Sequence, residues 1–505
     1  NRTGTEIMSD KPPFDQKGPL ISRRRTLQGA ATIVAAATLP KTSIAQPTEP
    51  ANAVRNPDLT GRLARYMVES RQLELSESVV LAAKHRILDT LGAIVSGAKL
   101  KPGEVAIDYV RQQGGTPESS VVTTDIMTSA VNASLANAMS AHADETDDFH
   151  PFTKAHPGCS VVPAALAMGE REASSGDEFL RSVVLGYDLC CRFLVALRPA
   201  LVRSNHRSAE GYSSTFGAAA AAASLARFDE TKMRYAISYA VQQVSGVWSW
   251  VRDVEHIEKA FDFSGMGARN GVAGATMIQA GFTGVLDALE GERNVLDALS
   301  TDAAPEEIVA DLGSRFYVEE TAIKTFPVGY PMQSPLAAFF TLREAHGLTV
   351  DNVEHILLRL PEDGARIVDS RSMPDVNIQH IMAVALVDGF IDFENSHSFE
   401  RMSDPQVLAA RERVELIADP ELVVLDAPRS GFVEVTTTDG RRVNLFVSHA
   451  PGTPENPLTT EDVAAKARVL MAPILGAERT EELIRQIDQL ENLADIRELR
   501  KFLTA

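Results

Sequence analysis

Acids and bases crowd most densely into one stretch, Asn137 to Glu170 (NAMSAHADETDDFHPFTKAHPGCSVVPAALAMGE). Three of the chain's 11 histidines stand there, His142, His150 and His156, together with Asp144, Glu145, Asp147 and Asp148. Like charges this close are costly unless cations, solvent or a ligand offset them, and the crowding pushes neighbouring pKa values apart. Acid–base chemistry needs that condition, with one group ready to take a proton and another to give it. A solvated acidic turn is the bland alternative, but it leaves the three histidines and the Pro157-Gly158 stop unexplained. A second polar segment, Trp248 to Asp262, holds both tryptophans with Arg252, His256 and Lys259, and a third, Ile323 to Pro335, is proline-rich and carries Lys324. Arg252, Lys259, Arg269 and Lys324 are of the types that clamp carboxylates. Converging, these segments suit elimination, decarboxylation or epimerisation of a small polycarboxylate. His142, Asp144, Asp147, His150 and His156 are also acceptable metal ligands, although their spacing matches no strong metal motif. No G-x-S-x-G elbow supports a serine hydrolase. The glycines Gly265, Gly267 and Gly271 follow no clear strand, so they are not a dinucleotide fingerprint.

The elements that must position these groups read mostly as helices. Small apolar runs flank the acidic stretch, giving helix, polar loop, helix. Leu59 to Gln72, Ser76 to Gly97 (Ser76 as N-cap), Gly176 to Leu197 and Met266 to Gly281 read as helices, as does the segment from the Asp229 cap to Gln243. Phe216-Gly217 and the alanines 218–223 predict a buried central helix, too short to span a membrane. His206 to Ser214, before it, reads as a polar loop. Ser119 to Thr124 reads as a short strand, and further strand signals appear after about residue 302. His355 to Leu360 is one candidate, and Phe432–Thr438 with Arg441–Val447 flank Asp439-Gly440 as a hairpin. Ile378 to Ile391 is helical between them, Thr459–Asp462 starts a further helix, and a last charged helix is expected from Arg479 to Phe502. The expectation is a mainly α protein: a helical domain over 58–301, a smaller α+β lid over 302–450, and C-terminal helices over 451–505 that return to the first domain.

Composition bounds the partners. At 505 residues, 44% apolar and 23% charged, the chain can bury a large core, and its net charge of −19 argues against nucleic-acid binding. Cys159, Cys190 and Cys191 form no disulfide framework and no zinc spacing. Ser22-Arg23-Arg24-Arg25-Thr26-Leu27-Gln28 resembles a twin-arginine export signal, with a short apolar run to Leu39 and a small-x-small site at Ser43-Ile44-Ala45. With Met8 as the start, the arginine pair falls where such signals carry it. The expectation is a signal over 1–45, a linker over 46–57 and a periplasmic mature protein, with a cytoplasmic protein as the alternative.

From about Leu59 to Asp495 the chain resembles the MmgE/PrpD family. The resemblance is carried by Leu88-Asp89-Thr90-Leu91-Gly92, the AHADETDDFHP block, His156-Pro157-Gly158 with Val162-Pro163-Ala164-Ala165, and Lys259 with Arg269-Asn270-Gly271. Gly281-Phe282-Thr283-Gly284, Lys324-Thr325-Phe326-Pro327, and Gln379-His380 through Leu386-Val387-Asp388-Gly389 extend it. Members dehydrate 2-methylcitrate, decarboxylate cis-aconitate or epimerise iminodisuccinate. The resemblance implies an active site in the cleft between the helical domain and the lid, a homodimer, and catalysis with no cofactor and no metal. It assigns His156 as acid or base and Lys259 as a carboxylate or oxyanion partner, with Glu145, Asp147 and His150 in the catalytic block. Arg252, Arg269, Lys324, Gln333 and Ser213 are then the substrate-binding candidates. The chain departs from the family pattern in four places. Glu145 stands for an aspartate, Phe149 for a threonine, and Ser213 and Gln333 for histidines. Those departures argue against decarboxylation of cis-aconitate itself. A lyase performing a dehydration or similar elimination on another small carboxylate is expected, with an epimerase or a non-catalytic carboxylate-binding protein as alternatives.

Overall fold

The computed structural model describes residues 58–504 apart from Leu425. The twin-arginine segment and the linker lie outside the described residues. Mainly α architecture with a smaller α+β region is what the described chain shows. Among the described residues, no helix is long and apolar enough to cross a membrane.

The helices start where capping chemistry allows. Ser76 caps Glu77–Gly97, Ser175 forms a capping box on Gly176–Leu197, and Asp229 caps Glu230–Gln243. The alanine-rich helix is longer than its apolar run suggests. It spans Ala209–Leu225 and starts at Ser208, whose side chain accepts the Gly211 N–H at 3.2 Å. The expected polar loop before it is therefore its buried first two turns, where serine and threonine hydroxyls bond back to the preceding turn. Small side chains let this helix pack between Pro157–Glu172, Gly176–Leu197 and Met266–Gln279. At Gly271 a Cβ would stand 2.5 Å from the Ala218 and Ala219 backbone, so only glycine permits that crossing.

Hydrophobic residues gather in two main clusters. The first runs from Leu59 to Ile323 and takes in Val463 to Leu503, so the C-terminal helices complete it. The second begins at Val328 and extends to Val435. In it a four-stranded sheet has the order Val414–Asp419, Val353–Pro361, Gly431–Thr437, Arg442–Val447, with only the first pair parallel. Period-two alternation along Gly431–Thr437 sends Val433 and Val435 inward. Gly440 closes the hairpin at φ +83°, the left-handed conformation the turn requires.

The last charged segment is not one helix. Ala477–Asp488 is followed by 3₁₀ turns at Leu490–Asn492 and Ile496–Leu499 and a short helix at Arg500–Leu503. Burying Leu490, Ile496 and Leu499 forces the break, because a straight helix would carry them away from the core. The Gly176 N–H donates to Leu493 O, and the Ile496 N–H donates to Ser174 O, each at 2.8 Å.

Candidate active site

The acidic stretch is a buried loop, residues 142–156, between the helices Ala130–Ala141 and Pro157–Glu172. Ser129 caps the first helix, and Pro157 opens the second, where a missing N–H costs nothing. His142, Asp144, Asp147 and Asp148 have no measurable exposure, so each charge needs a partner within the protein.

Those partners come from distant segments. Asp144 accepts from the Ser96 hydroxyl and from Thr146, and His397 Nε2 lies 2.8 Å from the Asp144 carbonyl. Asp148 accepts the Gly158 N–H at 2.8 Å. Lys466, on the C-terminal helix Thr460–Leu475, donates to Thr146 O at 2.7 Å and pairs with Asp89. The loop is thus braced from behind by the helices Glu77–Gly97 and Thr460–Leu475.

Asp147 is the hub. Its Oδ2 lies 2.9 Å from His142 Nδ1 and 2.9 Å from His156 Nδ1, and its Oδ1 accepts from Lys324 at 3.2 Å. Burial would raise its pKa, but the His142, Lys324 and His156 contacts outweigh burial and hold the carboxyl well below its usual range. Burial also drives His142 well below the ordinary imidazole pKa, so that ring is neutral. An ionised carboxylate only accepts, so both Nδ1 atoms carry protons, and in a neutral ring the lone pair is then on Nε2. His156 lines a cavity of about 110 Å³, and its Nε2 has no hydrogen-bond partner among the described residues.

Glu145 sits beside this hub at φ +55°, a left-handed conformation that costs a non-glycine residue about 1 kcal/mol. Its Oε2 accepts from Lys324 at 3.3 Å, while its Oε1 touches the Lys259 ammonium and lies 3.4 Å from His256 Nε2. Burial and the Lys324 and Arg371 charges push Lys259 below the ordinary lysine pKa, and the Asp375 carboxylate works against them. Lys259 also lies over the rings of Phe263 (5.1 Å) and Trp250 (5.8 Å). Phe263 is placed by a π-helical turn, Phe261–Gly265, and stacks on His142 with centroids 4.4 Å apart.

His156, Lys259 and Glu145 therefore line one cavity, with Asp147 and Lys324 buried behind them. The other sequence candidates lie elsewhere. His150 bonds Thr153 at 2.7 Å, lies 3.7 Å from Glu320, and lines a neighbouring cavity. Ser213 is buried in the central helix, and its hydroxyl donates to Glu210 O. Arg252 ends the exposed side of a 3₁₀ turn, Trp248–Arg252, outside the cavity lining. Arg269 packs over Phe261 and donates to Asn270. Gln333 uses its amide entirely on the loop that bears Lys324. It accepts the N–H groups of Thr325 and Phe326 and donates to the carbonyls of Phe326 and Val328. It thereby positions Lys324.

Sequence reasoning missed Lys154, Arg203 and Arg429, which line the same cavity. Lys154 lay inside the central stretch and was readable. Arg203 and Arg429 come from segments with no local signal. The five-residue metal set does not assemble, because Asp144 and His150 face other partners. A different trio, His142, Glu145 and His256, has one ligand atom each within 4.8 Å of the others. The Lys259 ammonium already sits against the Glu145 oxygen of that trio, so the protein supplies a cation there itself.

Gly158 tests the loop anchoring. A Cβ there would lie 2.6 Å from Thr90 Oγ1 and 2.8 Å from Asp148 Oδ1. Gly158→Ala is expected to lower Tm and to reduce turnover, because it displaces the helix start next to His156. Thermal denaturation and turnover unchanged from wild type would contradict this anchoring.

The fold and site define a class: residues 61–308 match the MmgE/PrpD N-terminal domain and residues 326–492 match the MmgE/PrpD C-terminal domain. The chain belongs to the MmgE/PrpD family. It is similar to the cis-aconitate decarboxylase of Homo sapiens, 25% identical over 453 residues that cover 83% of this chain and 89% of the relative. It is also similar to the cis-aconitate decarboxylase-like protein oryM of Aspergillus oryzae (strain ATCC 42149 / RIB 40), 22% identical over 471 residues that cover 88% and 96%.

Proposed function

We propose that this protein is a lyase that eliminates from a small polycarboxylate without a metal, by dehydration or decarboxylation. The family and both relatives support an enzyme of dehydratase- or decarboxylase-like function. The observation that carries the reading is the His156–Asp147 pair at the cavity wall. In this reading the His156 Nε2 lone pair takes a proton from a carbon next to a substrate carboxylate, and Asp147 stabilises the imidazolium that forms. Negative charge then develops on the carboxylate oxygens, and the Lys259 ammonium donates to it. In dehydration the imidazolium returns its proton to the leaving hydroxyl as water departs; in decarboxylation no C–H proton is taken, and His156, protonated from solvent, gives its proton to the carbon whose electron pair carbon dioxide leaves behind.

Both relatives carry a decarboxylase name, so decarboxylation stands beside dehydration here, despite the departures at Ser213 and Gln333. Proton NMR of the EDTA-treated protein in D₂O tests the reading with citrate, 2-methylcitrate, cis-aconitate and iminodisuccinate. A new alkene signal, or loss of carbon dioxide, is expected for at least one. Exchange at carbon without net product would reassign the protein as an epimerase. Activity that returns only with added metal would overturn metal independence, and binding without any change would leave a carboxylate-binding protein.

A further inference from the structure

The cavity carries cationic groups that the proton transfer does not use. Arg203 is paired with Glu210 at 2.8 Å, and Arg429 with Asp363 at 2.8 Å. Half-buried Lys154 has no hydrogen bond or ion pair from its ammonium among the described residues, only the Phe149 ring 6.0 Å away. The loop holds it there: its N–H donates to His150 O at 2.8 Å, its φ is +68°, and Arg203 donates to the adjacent Thr153 carbonyl at 3.0 Å. Near the reacting end, Glu145 and Asp147 already balance Lys259 and Lys324. At the Lys154 end, two paired arginines and one unpaired ammonium leave an excess positive charge. Arg429 adds a buried Nε that has no hydrogen-bond partner among the described residues. All of these are donors, so the ligand that satisfies them must present oxygen acceptors and negative charge.

We propose that Lys154, flanked by Arg203 and Arg429, is a specificity-determining subsite that holds a substrate carboxylate remote from the reacting carbon. The inference rests on the reading of His156 and Lys259 as the reacting end. Phe149 lies between the two ends, with its ring 5.2 Å from the His156 ring and 6.0 Å from the Lys154 ammonium. Burial, with the Arg429 and Arg203 charges, pushes Lys154 well below the ordinary lysine pKa, and Asp363 opposes them. A bound carboxylate would favour the charged form of Lys154, which couples recognition to charge. An amide or ester at that end of the substrate would give no such gain, so the subsite discriminates by charge more than by size.

Calorimetric titration with succinate and glutarate, against their half-amides succinamate and glutaramate, reads the subsite without turnover. Wild type is expected to bind at least one diacid about tenfold or more tightly than its half-amide. Lys154→Met is expected to abolish that preference while binding the half-amide as wild type does, and Lys154→Arg to restore part of it. An unchanged preference in Lys154→Met, or no preference in wild type, would overturn the subsite. His156→Gln separates the two claims. It is expected to keep the preference while losing turnover; a Lys154-dependent preference in a wild type that transforms no carboxylate would keep the subsite and remove the lyase reading. Turnover indifferent to Lys154→Met, with equal affinity for diacid and half-amide, would do the reverse.

Discussion

Exchange of Asp147 for asparagine is expected to lower kcat by about 10³- to 10⁴-fold while carboxylate binding stays within a few-fold of wild type. The side chains are nearly equal in volume, so the buried loop keeps its shape. What changes is the proton inventory. An ionised Asp147 fixes the proton on Nδ1 of His156 at 2.9 Å and leaves the Nε2 lone pair toward the cavity. An amide can donate to Nδ1 instead, which moves the ring proton to Nε2 and removes the base. It also cannot stabilise an imidazolium as a carboxylate does. Steady-state turnover together with calorimetric binding separates this from misfolding. A variant with near-wild-type kcat would remove Asp147 from the account.

Lys324→Met is expected to have the largest effect on stability, about 3–5 kcal/mol at neutral pH. The ammonium is fully buried and lies within 3.3 Å of Glu145 and 3.2 Å of Asp147. Without it, two buried carboxylates are left with too little positive charge. The pH dependence has a definite sign. Asp147 has a depressed folded-state pKa, so its stabilising contribution is present above the unfolded value of about 3.9 and is lost as pH falls through the folded one. Removing Lys324 withdraws part of that contribution. The deficit of the variant is therefore greatest above about pH 5 and narrows as acid protonates the orphaned carboxylates. Urea denaturation at pH 7 and pH 4.5 measures both. A deficit independent of pH, or none, would contradict the assigned ion pairs.

Much of this arrangement was legible in the sequence. The density of acids and histidines between two small apolar runs marked the loop 142–156, and Pro157-Gly158 marked its end. The Asp-Gly turn fixed the hairpin, and helix caps such as Ser76 and Asp229 were read at their true positions. Other features were hidden by their physical nature. Ser208 starts a helix whose first turns are polar yet buried, so polarity mimicked a loop, and Ser213, a binding candidate through the family resemblance, instead donates to Glu210 O inside that helix. His150 and His156 are alike in type, and the neighbours each meets come from the tertiary fold, Thr153 and Glu320 for His150 and Asp147 for His156. Gln333 looked like a lost catalytic group, but its four hydrogen bonds to the 325–328 backbone exist only once that loop has folded. Arg203 and Arg429 reach the cavity from segments more than 200 residues apart, which no local pattern announces.

The central claim is that the cavity-facing nitrogen of His156 moves the substrate proton. The measurement that bears on it most directly is the rate of substrate conversion, and of deuterium exchange at carbon, followed by proton NMR in D₂O for wild type and His156→Gln. Both proteins are treated with EDTA and supplied with the same carboxylates. The account predicts that wild type converts at least one of them and that His156→Gln slows this by about 10²- to 10⁴-fold, with diacid binding preserved. Conversion by His156→Gln within about threefold of wild type would contradict it, since no other group here carries the Asp147-oriented lone pair into the cavity.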